Sequence, residues 1–327
     1  MTYSFEEIVK MVETGIGQIR FDAQPRTLFT PIEYTLSLGG KRIRPAFMLM
    51  ACNLYSDRID AAIQPALGME VFHNFTLLHD DLMDEAGRRR NQPTVHVKWN
   101  PNTAILSGDA MLIAAYRLIG QTADPFLKPV LELFTQTALE ICEGQQYDME
   151  FEARPEVTEE EYMEMIRLKT AVLPACCLKA GAWIGGAPDK EAECLYRFGT
   201  NIGLAFQLQD DLLDVYGDPQ TFGKNIGGDI LADKKTILLI LALKAASRQQ
   251  YAEIQHFRAS ANDCFTPAEK IAAITTIYND LNIRETVQGM IRKYYRLAMQ
   301  ELLQLQLPPE RLTTLREAGR QLMERIS

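Results

Sequence analysis

Apolar residues recur at intervals of three and four along the chain, and this period decides its fold class. Ile8, Val9, Val12, Ile16 and Ile19 form one stripe; Leu131, Phe134, Ala138, Leu139 and Cys142 form another. A residue three or four places along an α-helix returns to the same face, so each stripe is the buried side of an amphipathic helix. No run alternates apolar and polar residues between Asn-Gly or Asp-Gly turns, so strands are expected to be scarce or absent. Breaks fall at Gly39-Gly40, Pro93, Asn100-Pro101, Asp124-Pro125, Pro155, Gly185-Gly186-Ala187-Pro188, Gly217-Asp218-Pro219, Gly227-Gly228, Pro267 and Pro308-Pro309. Helices of about 10 to 28 residues fit between them. Thr158 before Glu159, Glu160 and Glu161, and Asp189 before Glu191, mark helix starts. No linker or low-complexity stretch divides the 327 residues, which predicts one all-α domain, a single large helical bundle of roughly ten or more helices.

Charge narrows the partners. A formal charge of −9 and a pI near 5.1 argue against nucleic acid, which a basic surface would be needed to hold. They leave a phosphate-bearing small substrate open, because local charge and bound metal decide that. No apolar stretch approaches the ~20 residues that span a bilayer. The acidic, amphipathic start lacks the features of a signal peptide, so a cytoplasmic location is expected. The six cysteines (52, 142, 176, 177, 194 and 264) show no C-x-x-C, and Cys176 and Cys177 read as small core residues.

One pattern occurs twice. Leu77-Leu78-His79-Asp80-Asp81-Leu82-Met83-Asp84 and Gln207-Leu208-Gln209-Asp210-Asp211-Leu212-Leu213-Asp214 both read x-L-x-D-D-L-x-D. Four residues advance a helix by about 6 Å and return to one face, so Asp80 aligns with Asp84 and Asp210 with Asp214. Asp81 and Asp211 sit to the side. One such cluster reads as well as a solvated acidic face. Two copies, each behind an apolar run, point to a cation, and hard carboxylate oxygens suit Mg²⁺. Cations stand near both. Gly39-Gly40-Lys41-Arg42-Ile43-Arg44-Pro45 places three in four residues, Arg88-Arg89-Arg90 follows the first cluster, and Lys224 and Lys234-Lys235 follow the second. Carboxylates for magnesium beside lysines and arginines for oxyanions compose a diphosphate site.

These motifs resemble the trans-isoprenyl diphosphate synthase family from about residue 39 to 236. G-G-K-R-I-R-P stands at 39–45, the first aspartate-rich motif and its tail at 80–96, Lys169-Thr170 at the family's K-T, and the second motif at 207–214, with Gly223-Lys224 and Lys234-Lys235-Thr236 behind it. Asn91-Gln92 replaces a common Gly-Lys, and Gly87 a common acid, which touches loop geometry only.

The resemblance implies an all-α fold around a deep central cavity, with the two clusters facing each other. It implies three Mg²⁺ ions held by Asp80, Asp84 and Asp210, supported by Asp81, Asp211 and Asp214. Arg89, Lys169, Thr170, Gln207, Lys224 and Lys234 would contact the diphosphate of an allylic substrate. Lys41, Arg44, His73 and Arg90 would hold isopentenyl diphosphate, and Gly40 would contact substrate. His73 alone reads as a partly buried histidine satisfied by a carbonyl. The implied reaction is a 1′-4 condensation by a homodimer, with residues 217–233 as a closing loop. An aromatic five residues before the first motif limits product length in the family, so Phe75 is expected to do so, with Phe72 below it; helix geometry alone favours Thr76, and Phe72 and Phe75 also read as core. The expected product is geranylgeranyl diphosphate, with farnesyl diphosphate the close alternative. Two rivals, a class I terpene cyclase and a silent regulatory subunit, fit less well: the second motif is D-D-x-x-D and all six aspartates are kept. A di-metal carboxylate bundle, marked by Glu-x-x-His pairs, is not expected.

Overall fold

The computed structural model describes residues 3–217, 226–259 and 265–323, and among them the regular secondary structure is helical apart from one two-residue ladder. Its contacts cluster into two compact units. The first comprises residues up to Gln136, Cys176–Tyr196 and Gln304–Ala318. The second comprises Thr137–Ala175, Arg197–Leu303 and the chain from Gly319.

In the first unit, α1 (Phe5–Gln18), α2 (Arg26–Ser37), α3 (Ile43–Tyr55) and α6 (Pro101–Ile119) surround α4 (Asp60–Met83). Ser4 opens α1 with a capping box to Glu7, satisfying two amides that the helix itself leaves open. Asn100 caps α6, whose Pro101 needs no amide partner. Helix α4 is buried over most of its circumference: Ala66, Leu67, Met69, Val71 and Phe72 are at most 2% exposed. It packs tightly on α6 because Gly108 has no side chain; a Cβ there would stand 2.1 Å from His79 Nε2. After α4 the chain forms β1 (Arg88–Arg89) and β2 (Gln92–Pro93), antiparallel, then the short α5 (Val95–Lys98). The two residues between the strands, Arg90 and Asn91, have φ of +52° and +62°, the type I′ signature of a tight hairpin. Asparagine tolerates that region, so the replacement of glycine by Asn91 preserves the loop.

The second unit is built around α10 (Asp189–Tyr216) from Arg197 on, with the later part of α7 (Leu127–Ala153) and α8 (Glu159–Ile166). Then come α11 (Gly228–Leu231), α12 (Ile237–Ala245), α13 (Arg248–Ala259), α14 (Pro267–Asp280) and α15 (Ile283–Leu302). Leu208, Leu212, Ile237, Leu238, Ile254 and Val287 are at most 1% exposed and share one core. Thr158 and Thr266 open α8 and α14 with capping boxes, the first at the sequence-marked start. Asp189 is the first helical residue of α10. Between α8 and α9 (Val172–Gly185), Arg167–Ala171 form a π-helical turn that inserts a wider ring into the helix. Helix α16 (Pro309–Met323) starts at the last break, Pro308-Pro309. Cys176 and Cys177 are wholly buried, as expected of core thiols.

Candidate active site

The first aspartate motif ends its helix. Asp84 is the C-cap of α4, Glu85 takes the left-handed conformation at φ +50°, and Ala86 N–H returns to the Asp81 carbonyl at 2.9 Å. This is a Schellman closure with a non-glycine residue at its left-handed position. It leaves Asp84 exposed and Asp80 partly exposed. Asp81 turns inward and is 6% exposed. Arg89 grips it through Nε at 2.9 and 2.8 Å and through Nη2 at 2.7 Å, and lies 3.7 Å from Asp80. Burial pushes the Asp81 carboxyl upward and Arg89 opposes this.

The cations expected to hold a second diphosphate sit in the same unit. Arg90 donates to the Gly39 carbonyl, and its guanidinium lies against Gly40, where a Cβ would be 2.8 Å from Nη2. With φ at +144°, Gly40 has both the backbone and the space that only glycine supplies. Arg44 Nη1 lies 3.0 Å from His73 Nε2. Arginine can only donate, so Nε2 accepts and the ring proton is on Nδ1. Burial of His73 and the nearby Arg44, Arg90, Arg89 and Arg42 push its pKa well below the usual imidazole range, so the ring is neutral. Its partner is an arginine rather than a carbonyl. Arg42 does a different job: 3% exposed, with φ +50°, it binds Glu13 and Glu70 at 2.7 Å and the Leu36 carbonyl at 3.0 Å. This fold-holding arrangement leaves the adjacent Lys41 exposed.

The second motif lies inside α10, which runs two residues past it. Asp210 is half-buried. Asp211, 4% exposed, accepts from Tyr162 through Oδ2 and from Gln207 Nε2 at 3.0 Å. Burial pushes its carboxyl up to about 7, Asp229 and Asp210 adding to that, while the Tyr162 and Gln207 bonds oppose it. Gln207 Oε1 in turn accepts from the Thr170 hydroxyl at 3.0 Å. Asp214, 9% exposed, accepts the Asp229 amide at 3.0 Å, and its own carbonyl takes Gly227 N–H at 2.6 Å. The π-helical turn presents Lys169 and Thr170; Lys169 binds Asp148 at 2.6 Å.

The polyprenyl synthetase family model matches residues 25–277. The chain belongs to that family. It is 36% identical to a short chain isoprenyl diphosphate synthase of Methanothermobacter thermautotrophicus over 294 residues, 90% of this chain and 89% of that one. A solved geranylgeranyl pyrophosphate synthase, 39% identical, superimposes with a TM-score of 0.92 over 98% of this chain and 99% of its own. A polyprenyl synthase from Caulobacter crescentus, solved with calcium and isoprenyl diphosphate, is 26% identical with a TM-score of 0.86 over 100% and 99%. The chain is therefore an all-α prenyltransferase of the short-chain isoprenyl diphosphate synthase kind.

In this polyprenyl synthetase, residues 218–225 of the expected closing loop, Lys224 among them, lie outside the described residues. Lys234, half-buried, donates its amide to the Asp229 carbonyl at 3.0 Å. Phe72 is 1% exposed and packs edge-on against Phe134 at 5.0 Å; Phe75 is half-buried beside His79 at 4.8 Å. Thr76 donates its hydroxyl to the His73 carbonyl at 2.8 Å. Two residues escaped the sequence reading: Tyr162 and Asp148 bind motif residues from distant positions, and no local pattern marks them. Asp229 falls within the expected closing loop and binds Asp214. The di-metal alternative needs a correction, because Glu-x-x-His spacings do occur, at Glu70–His73 and Glu253–His256. In the first, Arg42 takes Glu70 and Arg44 takes His73. The second is on the exposed side of α13. No helix of the described residues is long and apolar enough to cross a membrane.

Proposed function

We propose that this prenyltransferase, as one catalytic domain, condenses isopentenyl diphosphate 1′-4 with an allylic diphosphate in a Mg²⁺-dependent reaction, giving mainly the twenty-carbon geranylgeranyl product. The observation that carries this is the sorting of the six carboxylates. Asp81, Asp211 and Asp214 are each at most 9% exposed and bound to protein donors, while Asp80, Asp84 and Asp210 remain more open. Open carboxylates beside cations fit a hard divalent ion that keeps water and phosphate in its shell; the calcium of the Caulobacter crescentus relative supports a divalent metal. Asp80, Asp84 and Asp210 are the residues that would hold Mg²⁺. When bound, it would neutralise charge developing on the leaving diphosphate.

The chain's own residues supply the rest. Lys169, Lys234, Lys224 and Arg89 grip the allylic diphosphate, with the second amide N–H of Gln207 donating a hydrogen bond and Thr170 doing so once its hydroxyl turns from Gln207, and stabilise the leaving oxygen as the allylic C–O bond breaks. Lys169 must share or leave Asp148 to do so. Arg44, with neutral His73 accepting from it, stays fully cationic for isopentenyl diphosphate; Lys41, Arg90 and the Gly40 backbone complete that grip. The isopentenyl double bond attacks the allylic carbon, and loss of a proton, to the departed diphosphate, completes the bond. Apolar walls exclude water from the cationic carbon. Ile105, Leu106 and Ile113, 44–64% exposed on α6, support a homodimer covering that face. The acidic, thiol-bearing composition supports a cytoplasmic enzyme.

Of the residues before Asp80, Phe75 is the ring open to a growing chain, about 7.5 Å along the axis, and Phe72 backs it. Incubation with Mg²⁺, isopentenyl diphosphate and dimethylallyl diphosphate, read by mass spectrometry, should give a twenty-carbon product; Phe75→Ala should lengthen it without abolishing turnover. Cyclised or absent products would reject the condensation, and an unchanged distribution from Phe75→Ala would remove it as the stop.

A further inference from the structure

Within the second unit, an ion cluster with a buried lysine lies behind the segment that carries Lys234. Lys270, on α14, is 4% exposed, an unusual place for a lysine. Its Nζ donates to Asp233 Oδ1 at 2.9 Å, and Arg258 Nε lies 3.9 Å from the same oxygen. Asp233 is left-handed, at φ +52°, and immediately precedes Lys234. The other end of the segment is tied to the second motif through the Asp214 bonds to Gly227 and Asp229, and the Asp229 carbonyl accepts the Lys234 amide. A small cavity lies between, lined by Asp229, Asp233, Lys234, Arg258, Lys270 and Tyr278 among others.

This arrangement is over-determined for a mere surface turn. Two cations from two different helices, α13 and α14, meet Asp233, whose side chain is 35% exposed. A left-handed aspartate persists where its surroundings hold it there. Fixing Asp233 fixes the backbone direction of the next residue, and so the root of the Lys234 side chain. We infer that Lys270 is a positioning residue for the allylic-diphosphate grip: through Asp233, with Arg258 in support, it sets the backbone from which Lys234 reaches substrate. This rests on the assignment of Lys234 to that diphosphate. Lys270 lies well beyond the last of the motifs that the sequence displays, and no motif marks it.

The test is a double-mutant cycle on the full-length enzyme with Mg²⁺. Lys234→Ala alone should raise the KM for the allylic diphosphate; if it does not, the assignment of Lys234 fails, whatever Lys270 does. Lys270→Met should raise the same KM about five- to twentyfold, most of the effect of losing one charge-assisted contact, and leave the KM for isopentenyl diphosphate unchanged. Added to Lys234→Ala it should have little further effect. The Lys270→Met/Asp233→Asn variant, which removes both charges, keeps the measurement readable if the single variant unfolds, and should show the same allylic KM rise with a normal melting curve. Equal rises in both KM values, full additivity with Lys234→Ala, or a wild-type allylic KM in a folded Lys270 variant would overturn the inference.

Discussion

The two aspartate motifs share one pattern and differ in almost everything built around it. The first closes its helix, so Asp84 stands at an open end; the second is interior, so Asp214 is buried and anchors the Asp229 amide. The inner carboxylate of the first is held by a cation, Arg89; that of the second is held by neutral donors, Tyr162 and Gln207. A cation compensates an ionised carboxylate against burial, whereas neutral donors do so less completely. Burial pushes the Asp211 carboxyl up to about 7, with Asp229 and Asp210 adding to it; burial raises Asp81 as well, where Arg89 opposes the rise. Sequence identity within a motif therefore does not give chemical equivalence, because charge compensation comes from outside it.

The largest expected effect would erase the contrast between outer and inner carboxylates. Asp80→Ala and Asp210→Ala should each lower turnover by roughly a thousandfold or more, the upper scale for losing one preorganised electrostatic group, with circular dichroism unchanged. Near-normal initial rates in Mg²⁺ from either variant would break the outer-inner division.

Next comes the cation of the first region. Arg44→Ala should raise the KM for isopentenyl diphosphate about ten- to hundredfold, the cost of one charge-assisted hydrogen bond, with less effect on the allylic KM. Equal losses for both substrates would show that the cations of the two regions do not divide the work.

Stability separates the inner pair. In metal-free protein, Asp81→Asn takes from Arg89 its nearer counter-charge and should cost about 2 kcal/mol, less than the ~3–5 of a fully buried pair because Arg89 keeps Asp80 at 3.7 Å and retains solvent contact. Asp211→Asn keeps an acceptor for Gln207 and presents an N–H that the Tyr162 hydroxyl can turn to accept, so it should cost under about 1 kcal/mol at neutral pH. Denaturant melts that rank them in the reverse order would undo the distinction between cationic and neutral support.

The smallest effect is in pH dependence. A carboxyl raised from 3.8 to about 7 binds its proton more tightly in the folded state. Its contribution is greatest below the unfolded value and is lost as pH rises through the window from about 4 to about 7. With chelator present, Asp211→Asn should thus gain melting temperature relative to wild type between pH 5 and pH 8. A constant difference across that range would mean that Asp211 does not titrate there.

Much of this protein was legible in its sequence. The all-α class followed from period, because helix faces are a local property of spacing. The helix breaks at Asn100-Pro101, Pro267 and Pro308-Pro309 were legible because proline and capping chemistry act within a few residues. The carboxylate clusters and the cations near them were visible for the same reason. What sequence could not supply was the role of each charge. Arg42 and Arg44 stand two apart in one motif, yet one binds Glu13 and Glu70 to hold the fold and the other faces His73. Nor could it show that a π-helical turn presents Lys169 and Thr170, or that Tyr162 supports Asp211 and Lys270 supports Asp233. Those depend on which side chains from remote segments fill the space beside a buried charge. Spacing along the chain determined where the carboxylates and cations stand on their helices; only the tertiary structure decided their partners, because burial makes a charge depend on every group that replaces its water.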